Sequence, residues 1–256
     1  VSRFSEHRAE IARDQLADCH AALVLSPQVT AASLVGCDEL LAISRFGVGY
    51  DSVDVGACTA NNVIVTIPPG TVDRPVAEAT IGWMLALTHR VLEKDRLVRT
   101  GRWDERSQYM GCELRDRTLG VIGLGGIGRK LVQLLQGFGM RQPIAFDPFA
   151  PPEVFDESGV RKVELEELLS TADFVSLHCP LNEQTRGLIG ADQLGLMQPS
   201  AYLLNLARGG IVDEDALYDA LACRRIAGAA LDCFENEPVV TPHPLGELDN
   251  VLLAPH

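Results

Sequence analysis

The run Gly123-Leu124-Gly125-Gly126-Ile127-Gly128 constrains the fold of this 256-residue chain more than any other feature. It is a G-x-G-x-x-G placed between the apolar stretch Leu119-Gly120-Val121-Ile122 and a segment, 128–139, that puts Leu131, Leu134 and Leu135 on one helical face. A glycine at 123 permits a tight turn, one at 125 lets a ligand reach the backbone, and one at 128 lets helix and strand close on each other. The helix start offers free N–H groups and the positive end of its dipole, which suits phosphate. The run therefore predicts strand, turn and helix, the opening unit of a parallel sheet.

The chain around it follows the same rhythm. Beyond Thr118, strands are predicted over 143–146, 174–177, 202–206, 227–231 and 251–253, with helices over 164–169 and 214–223. With 119–122 this makes six strands, a doubly wound Rossmann sheet covered on both faces. Earlier, 21–25, 41–43 and 63–67 are short apolar runs. They feed the loops Phe46-Gly47-Val48-Gly49 and Pro68-Pro69-Gly70, as small strands do. A helix over 75–90, with Pro75 near its start and Ile81, Leu85 and Leu87 apolar, joins the two regions. The α/β chain is thus expected to hold a smaller, flavodoxin-like substrate domain, 1–73, and a nucleotide-binding domain, 74–256. No internal repeat or low-complexity tract interrupts it.

Asp147 ends the second Rossmann strand, 19 positions after Gly128. A carboxylate there accepts hydrogen bonds from ribose hydroxyls and repels a 2′-phosphate. Pro148 and Phe149 follow it, with no Arg to hold such a phosphate. NAD is the expected cofactor, on Gly123, Gly125, Gly126, Ile127, Gly128 and Asp147. The competing reading of Asp147 is a turn-forming Asp before Pro.

Net charge narrows the partners. At −13, the chain repels nucleic acid and anionic membrane, so neither is expected. An anionic substrate then needs a local cation. The seven cysteines are odd in number and contain no CxxC pair, so reduced thiols are expected rather than zinc or a disulfide framework, and the chain reads as cytoplasmic. No apolar run is long enough to span a bilayer, and the charged first twenty residues carry no signal peptide. The chain starts at Val1 without Met and stops at His256 directly after a predicted strand, so it reads as incomplete at both ends.

Three residues stand at or just past the ends of late strands, where open α/β sheets gather their active sites. Arg208 follows Leu203-Leu204-Asn205-Leu206-Ala207, Glu237 follows Leu231-Asp232-Cys233-Phe234, and His256 follows Val251-Leu252-Leu253-Ala254-Pro255. Together they supply the parts for alcohol–carbonyl chemistry. Arg208 has a competing role as a partner of Asp213, and Glu237 as a solvated loop charge. His243 competes with His256, but its Pro-rich surroundings predict an exposed loop. His178 reads as a strand-end histidine, Cys233 as a packing residue, and Cys179 has packing as a competing role.

These segments resemble the D-isomer-specific 2-hydroxyacid dehydrogenases from about Ala17 to His256. The matching stretches are Arg45-Phe-Gly-Val-Gly-Tyr-Asp-Ser-Val-Asp54, Val76-Ala-Glu-Ala-Thr80, the Gly-rich run with Asp147, and His178-Cys-Pro-Leu181. They continue with Asn205-Leu-Ala-Arg-Gly-Gly-Ile-Val-Asp213, Leu231-Asp-Cys-Phe-Glu-Asn-Glu-Pro238 and Ala254-Pro-His256. The resemblance implies that Arg208 holds the substrate carboxylate and polarises the 2-oxo oxygen, and that His256 is the acid–base. It implies that Glu237 bonds to His256 and favours its charged form. Val48 and Gly49 would grip the carboxylate through their N–H groups, Asp232 would face the nicotinamide carboxamide, and Thr80 and Cys179 would touch the cofactor. A small anionic 2-hydroxy or 2-oxo acid is the implied substrate, with phosphoglycerate-dehydrogenase-like or glyoxylate/hydroxypyruvate-reductase-like activity. The active site would lie in the cleft between the domains. A homodimer is implied, with 92–116 as the arm or interface.

Two departures stand out. Arg141-Gln142-Pro143 lengthens the approach to Asp147 by one residue, and Cys233 replaces an aliphatic residue. The family also continues past the final histidine with a turn and a long helix. Two other readings are a formate or phosphite dehydrogenase, with the intact Glu237 and the lack of long insertions arguing against formate, and an NAD-sensing protein of the corepressor type.

Overall fold

The computed structural model describes residues 2–256 and divides into two units, Val1–Val72 and Asp73–His256. The first holds three parallel strands in the order β1 (Ala21–Val24), β2 (Ala42–Arg45), β3 (Ile64–Thr66). Short helices α1 (Arg13–Leu16), α2 (Ala31–Leu34) and α3 (Val55–Ala60) accompany them. Period-two alternation sends Ala22, Val24 and Ile43 into a core with Leu16, Leu34 and Cys58. The alternate positions Leu23 and Ile64 stay exposed. Thr30 and Asp54 start α2 and α3 by accepting the N–H groups of Ala32 and Ala57.

The second unit opens with α4 (Asp73–His89) and α5 (Val91–Arg99). The sheet follows as β4 (Leu119–Ile122), α6 (Gly126–Leu135), β5 (Ile144–Phe146), α7 (Pro152–Ser158), β6 (Arg161–Lys162), α8 (Leu165–Thr171) and β7 (Phe174–Leu177). It ends with α9 (Ala191–Leu196), β8 (Tyr202–Asn205), α10 (Glu214–Ala222), β9 (Gly228–Leu231) and β10 (Val251–Leu253). All seven strands are parallel, in the order β10-β9-β8-β7-β4-β5-β6. Successive residues leave for opposite faces. Val121, Phe174, Leu204 and Ala230 join Met84, Leu87 and Leu131 of α4 and α6 in one core. Ile122, Val175, Leu203 and Leu231 join Leu168, Leu194 and Leu217 of α8, α9 and α10 in the other. Apolar burial on both faces explains why these strands read as continuous apolar runs.

The sheet has seven strands rather than the expected six. The extra one, β6, is two exposed residues at the sheet edge with no apolar pattern to signal it. The helix expected over 128–139 begins two residues earlier, at Gly126, and its last turn is a 3-10 segment, Gln136–Phe138, closed by Gly139 at φ +68°. Helices α5, α7 and α9 were not expected from the sequence.

Candidate active site

The strand order reverses between β4 and β7, so the loops after these two strands diverge to opposite faces and leave a crevice at their carboxyl ends. The Gly-rich turn lies there. Gly123 has φ +94°, and a Cβ on it would stand 2.7 Å from the Cys179 nitrogen and 2.8 Å from the His178 carbonyl carbon. Only glycine allows both this dihedral and this approach to the loop after β7. A Cβ on Gly128 would run into the Gly123 carbonyl and lie 3.0 Å from Val121 Cγ1, which fixes how closely α6 packs on β4. Gly126 has a packing role as well, since a Cβ there would collide with the Asp73 carboxylate. Gly125 differs: apart from its chain neighbours, no atom of the described residues lies within 4 Å of where its Cβ would be.

The first intrahelical bond of α6 runs from the Arg129 N–H to the Gly125 carbonyl at 3.0 Å. The N–H groups of Gly126, Ile127 and Gly128 precede it, and so face out of the helix start beside the open side of Gly125. A phosphate fits this donor set and this space.

Pairing of Ile122 with Phe146 puts Asp147 level with Gly123, so the extra residue before β5 is taken up outside the strand. Asp147 acts as a turn former and as a tie. Its Oδ1 accepts the N–H groups of Phe149 and Ala150 at 2.9 and 3.0 Å, and its Oδ2 accepts that of Leu124 at 2.8 Å. Oδ1 has both acceptor sites taken, whereas Oδ2 keeps one, which leaves capacity for a ribose hydroxyl.

At the ends of β8, β9 and β10 a second cluster forms. Glu237 Oε2 and His256 Nδ1 are 2.7 Å apart, with side chains 34% and 45% exposed. Glu237 Oε1 accepts the Phe234 N–H at 2.9 Å. An ionised carboxylate only accepts, so Nδ1 is the donor and His256 Nε2 is left for another partner. Asp232 faces this pair: burial, above all, raises its carboxyl pKa, while His256 lowers and Glu237 raises it.

Arg208 sits on the turn after β8, half-buried, its Nη1 donating to the Ala207 carbonyl at 2.7 Å. Asn205, 1% exposed, shapes that turn by donating to the Arg208 carbonyl and accepting the Ala207 N–H. Its own carbonyl accepts the Asp232 N–H at 3.0 Å, tying the end of β8 to the end of β9. Gly209 lets the turn lie on the chain after β9, because a Cβ there would collide with the Phe234 carbonyl. Asp213, the alternative partner considered for Arg208, instead caps α10 by accepting the Ala216 N–H.

Other expected site residues have local partners. Thr80 is fully buried on α4 and donates to the Val76 carbonyl at 2.8 Å. Burial pushes the Cys179 thiol up to about 11 and the Cys233 thiol above its usual range. His178 Nε2 lies 2.8 Å from Ser176 Oγ, its buried Nδ1 has no hydrogen-bond partner among the described residues, and burial lowers its pKa to about 4. In the first unit, Val48 and Gly49 lie on the turn after β2. Arg45, 7% exposed, pins this turn by donating to the Gly49 carbonyl at 2.9 Å and the Val24 carbonyl at 3.2 Å.

His243 corrects an expectation. Its side chain is only 18% exposed and pairs with Glu214 at 3.0 Å, so the Pro-rich loop is anchored rather than free. Asn205 and Glu214 carry structural duties around the site, and Arg45 in the turn of the first unit, that the sequence did not signal.

The sheet order and its Gly-rich switch point define a doubly wound nucleotide-binding domain. Comparison with known proteins narrows the class. The profile of the D-isomer specific 2-hydroxyacid dehydrogenase NAD binding domain matches residues 81–256. The chain is 44% identical to D-3-phosphoglycerate dehydrogenase of Methanocaldococcus jannaschii over 90% of its own length and 43% of that protein's. It is 39% identical to glyoxylate reductase of Korarchaeum cryptofilum over 95% of its length and 74% of the relative's. A crystal structure of D-lactate dehydrogenase from Aquifex aeolicus, complexed with NAD and lactic acid, superposes with a TM-score of 0.87 at 30% identity, covering 97% of this chain and 79% of that one. The chain belongs to the D-isomer specific 2-hydroxyacid dehydrogenase family and carries its NAD-binding domain. It spans less than half the length of the phosphoglycerate dehydrogenase it matches.

Proposed function

We propose that the protein reduces a small 2-oxo acid to the D-2-hydroxy acid, and runs the reverse oxidation, with Arg208, Glu237 and His256 as its working residues. The observation that carries the reading is the 2.7 Å contact between Glu237 Oε2 and His256 Nδ1, which leaves Nε2 for the substrate oxygen. The N–H groups at the start of α6 and the open side of Gly125 suit the pyrophosphate of NAD, and Asp147 suits its ribose. When bound, NADH supplies a hydride to C2 of the 2-oxo acid.

The chain's own residues do the rest. Arg208 holds the substrate carboxylate through a charge-assisted pair and polarises the 2-oxo oxygen. As oxygen gains charge, His256 Nε2–H gives it a proton, and the Nε2 lone pair takes that proton back in the oxidation. Glu237 fixes the ring by accepting Nδ1–H, and the Phe234 N–H fixes Glu237 in turn. Asp232 offers an acceptor to a carboxamide. Cys179 and Thr80 are cofactor contacts, and Val48 and Gly49 carboxylate donors, on the strength of their motifs. NAD is favoured over NADP because the Asp147 carboxylate repels a 2′-phosphate. The exposed Leu92, Val98, Trp103 and Met110 support reading 92–116 as a homodimer arm.

The test follows NADH absorbance with glyoxylate, hydroxypyruvate, pyruvate, 2-oxoglutarate and phosphohydroxypyruvate. Turnover of one of these, lost in Arg208→Ala and His256→Ala, supports the reading. Tight NADH binding with no turnover of any would favour a cofactor sensor.

A further inference from the structure

We infer that Glu214 and His243 form a clip that positions the loop carrying Glu237. The inference rests on the catalytic reading above, but its geometry lies wholly within the second unit. Glu214 is the first residue of α10, the helix that continues from the Arg208 turn. Its two carboxylate oxygens hold the two ends of loop 235–243. Oε1 accepts the Glu235 N–H at 2.7 Å, and Oε2 lies 3.0 Å from His243 Nε2. The side chains are 14% and 18% exposed, so water competes poorly for either bond.

The tautomer of His243 is determined by its other contact. The Leu245 N–H donates to His243 Nδ1 at 3.3 Å, so the ring proton sits on Nε2 and points at Glu214. The ring also packs on Phe234, centroids 5.1 Å apart. Phe234 is the residue whose N–H holds Glu237 Oε1. A continuous path therefore runs from the Arg208 turn through α10 and Glu214 to Glu235 and Phe234, and on to Glu237 and His256. Asp215, Tyr218 and Asp219 of α10 line the same depression as Glu214 and His243. Glu214 accepts from both ends of the loop and therefore cannot be replaced by an amide. Whichever way a Gln is turned, its NH2 meets either the Glu235 N–H or the His243 Nε2–H.

The two nitrogens of His243 can be tested apart. Gln at 243 can still donate to Glu214, whereas Asn can still accept from Leu245 but is too short to reach Glu214. A loop displaced by an ångström is expected to cost on the order of 10- to 100-fold in rate. The experiment measures amide hydrogen exchange at Phe234 and Glu235, kcat for glyoxylate, and the Kd of NADH, in wild type, Glu214→Gln, His243→Asn and His243→Gln. In Glu214→Gln and His243→Asn we expect both amides to lose protection and kcat to fall at least about tenfold, with NADH Kd within about twofold of wild type. In His243→Gln, protection and kcat should return to near the wild-type values. Unchanged protection in Glu214→Gln and His243→Asn would overturn the clip. Faster exchange with unchanged kcat would overturn its positioning role. Should Glu214→Gln fail to fold, the two His243 variants decide alone. A wild-type protein that reduces no 2-oxo acid would sink the catalytic reading, while the exchange data would still decide the clip.

Discussion

Substituting alanine for Gly125 and for Gly123 separates folding from cofactor binding within three residues. At Gly125 the backbone is extended, φ −76° and ψ −160°, and beyond its chain neighbours a Cβ meets no atom of the described residues within 4 Å. Removing chain entropy from the unfolded state stabilises such a site by about 0.4–1 kcal/mol. Alanine is a poorer N-cap than glycine, and the two effects cancel to within about 1 kcal/mol. The melting temperature of Gly125→Ala should therefore stay within roughly 4 °C of wild type. If the pyrophosphate occupies that open side, the added methyl overpacks it at a cost of about 1–3 kcal/mol, or roughly 5- to 150-fold in NADH affinity. Gly123→Ala is the opposite case. Its φ of +94° costs about 1–2 kcal/mol for any side chain, and the Cβ would approach the Cys179 nitrogen to 2.7 Å, against ordinary contact near ~3.3 Å. Adding overpacking gives about 2–5 kcal/mol of destabilisation, and a drop in melting temperature of roughly 4–20 °C. The assay is thermal melting followed by NADH fluorescence titration on the folded variants. A Gly125→Ala protein that melts and binds NADH like wild type would refute the placement of the phosphates.

Asp147→Asn keeps an acceptor for the turn at Phe149 and Ala150 but loses the acceptor for the Leu124 N–H and the negative charge. The preference for NADH over NADPH in competitive binding should then narrow by about tenfold, and an unchanged ratio would contradict the role given to the carboxylate. Because burial raises the Asp232 pKa, its ionised form costs folding stability once the pH exceeds that raised value, and the cost vanishes below the ordinary carboxylate range. Asp232→Asn should thus melt higher than wild type near about pH 7, with the gap closing towards about pH 4; a gap that widens on acidification would invert the sign. With its pKa near 11, the Cys179 thiol is ionised in roughly one molecule per thousand at about pH 8, whereas Cys223 is exposed. Iodoacetamide followed by peptide mass spectrometry should therefore label Cys223 well before Cys179.

The sequence revealed the parts of this fold that bury apolar surface or need glycine. Leu119–Ile122 and Phe174–Leu177 are entirely buried strands, marked by apolar runs that only Ser176 interrupts with a polar side chain. Elements that bury little were silent. Strand β6 is Arg161–Lys162, both exposed, and α7 buries Phe155 alone. Within the site, Asp147 and the Gly123–Gly128 run were legible because their spacing along the chain is set by one strand–turn–helix unit. Glu214 was not, since its partners Glu235 and His243 lie 21 and 29 residues away and meet it only once α10, β9 and the following loop have packed. His243 illustrates the same limit: flanking prolines suggest exposure, whereas the Glu214 contact and the Phe234 ring bury it.

The central claim is hydride transfer to C2, and isotopic labelling reads it directly. The protein would be incubated with glyoxylate and NADH carrying deuterium at C4 of the nicotinamide, using each of the two C4 stereoisomers, and the glycolate analysed by mass spectrometry and NMR. The account expects one deuterium on C2 of glycolate from one of the two stereoisomers, and none when Arg208→Ala or His256→Ala replaces the wild-type protein. Glycolate formed without label from either stereoisomer, or labelled equally well by the His256→Ala protein, would contradict it.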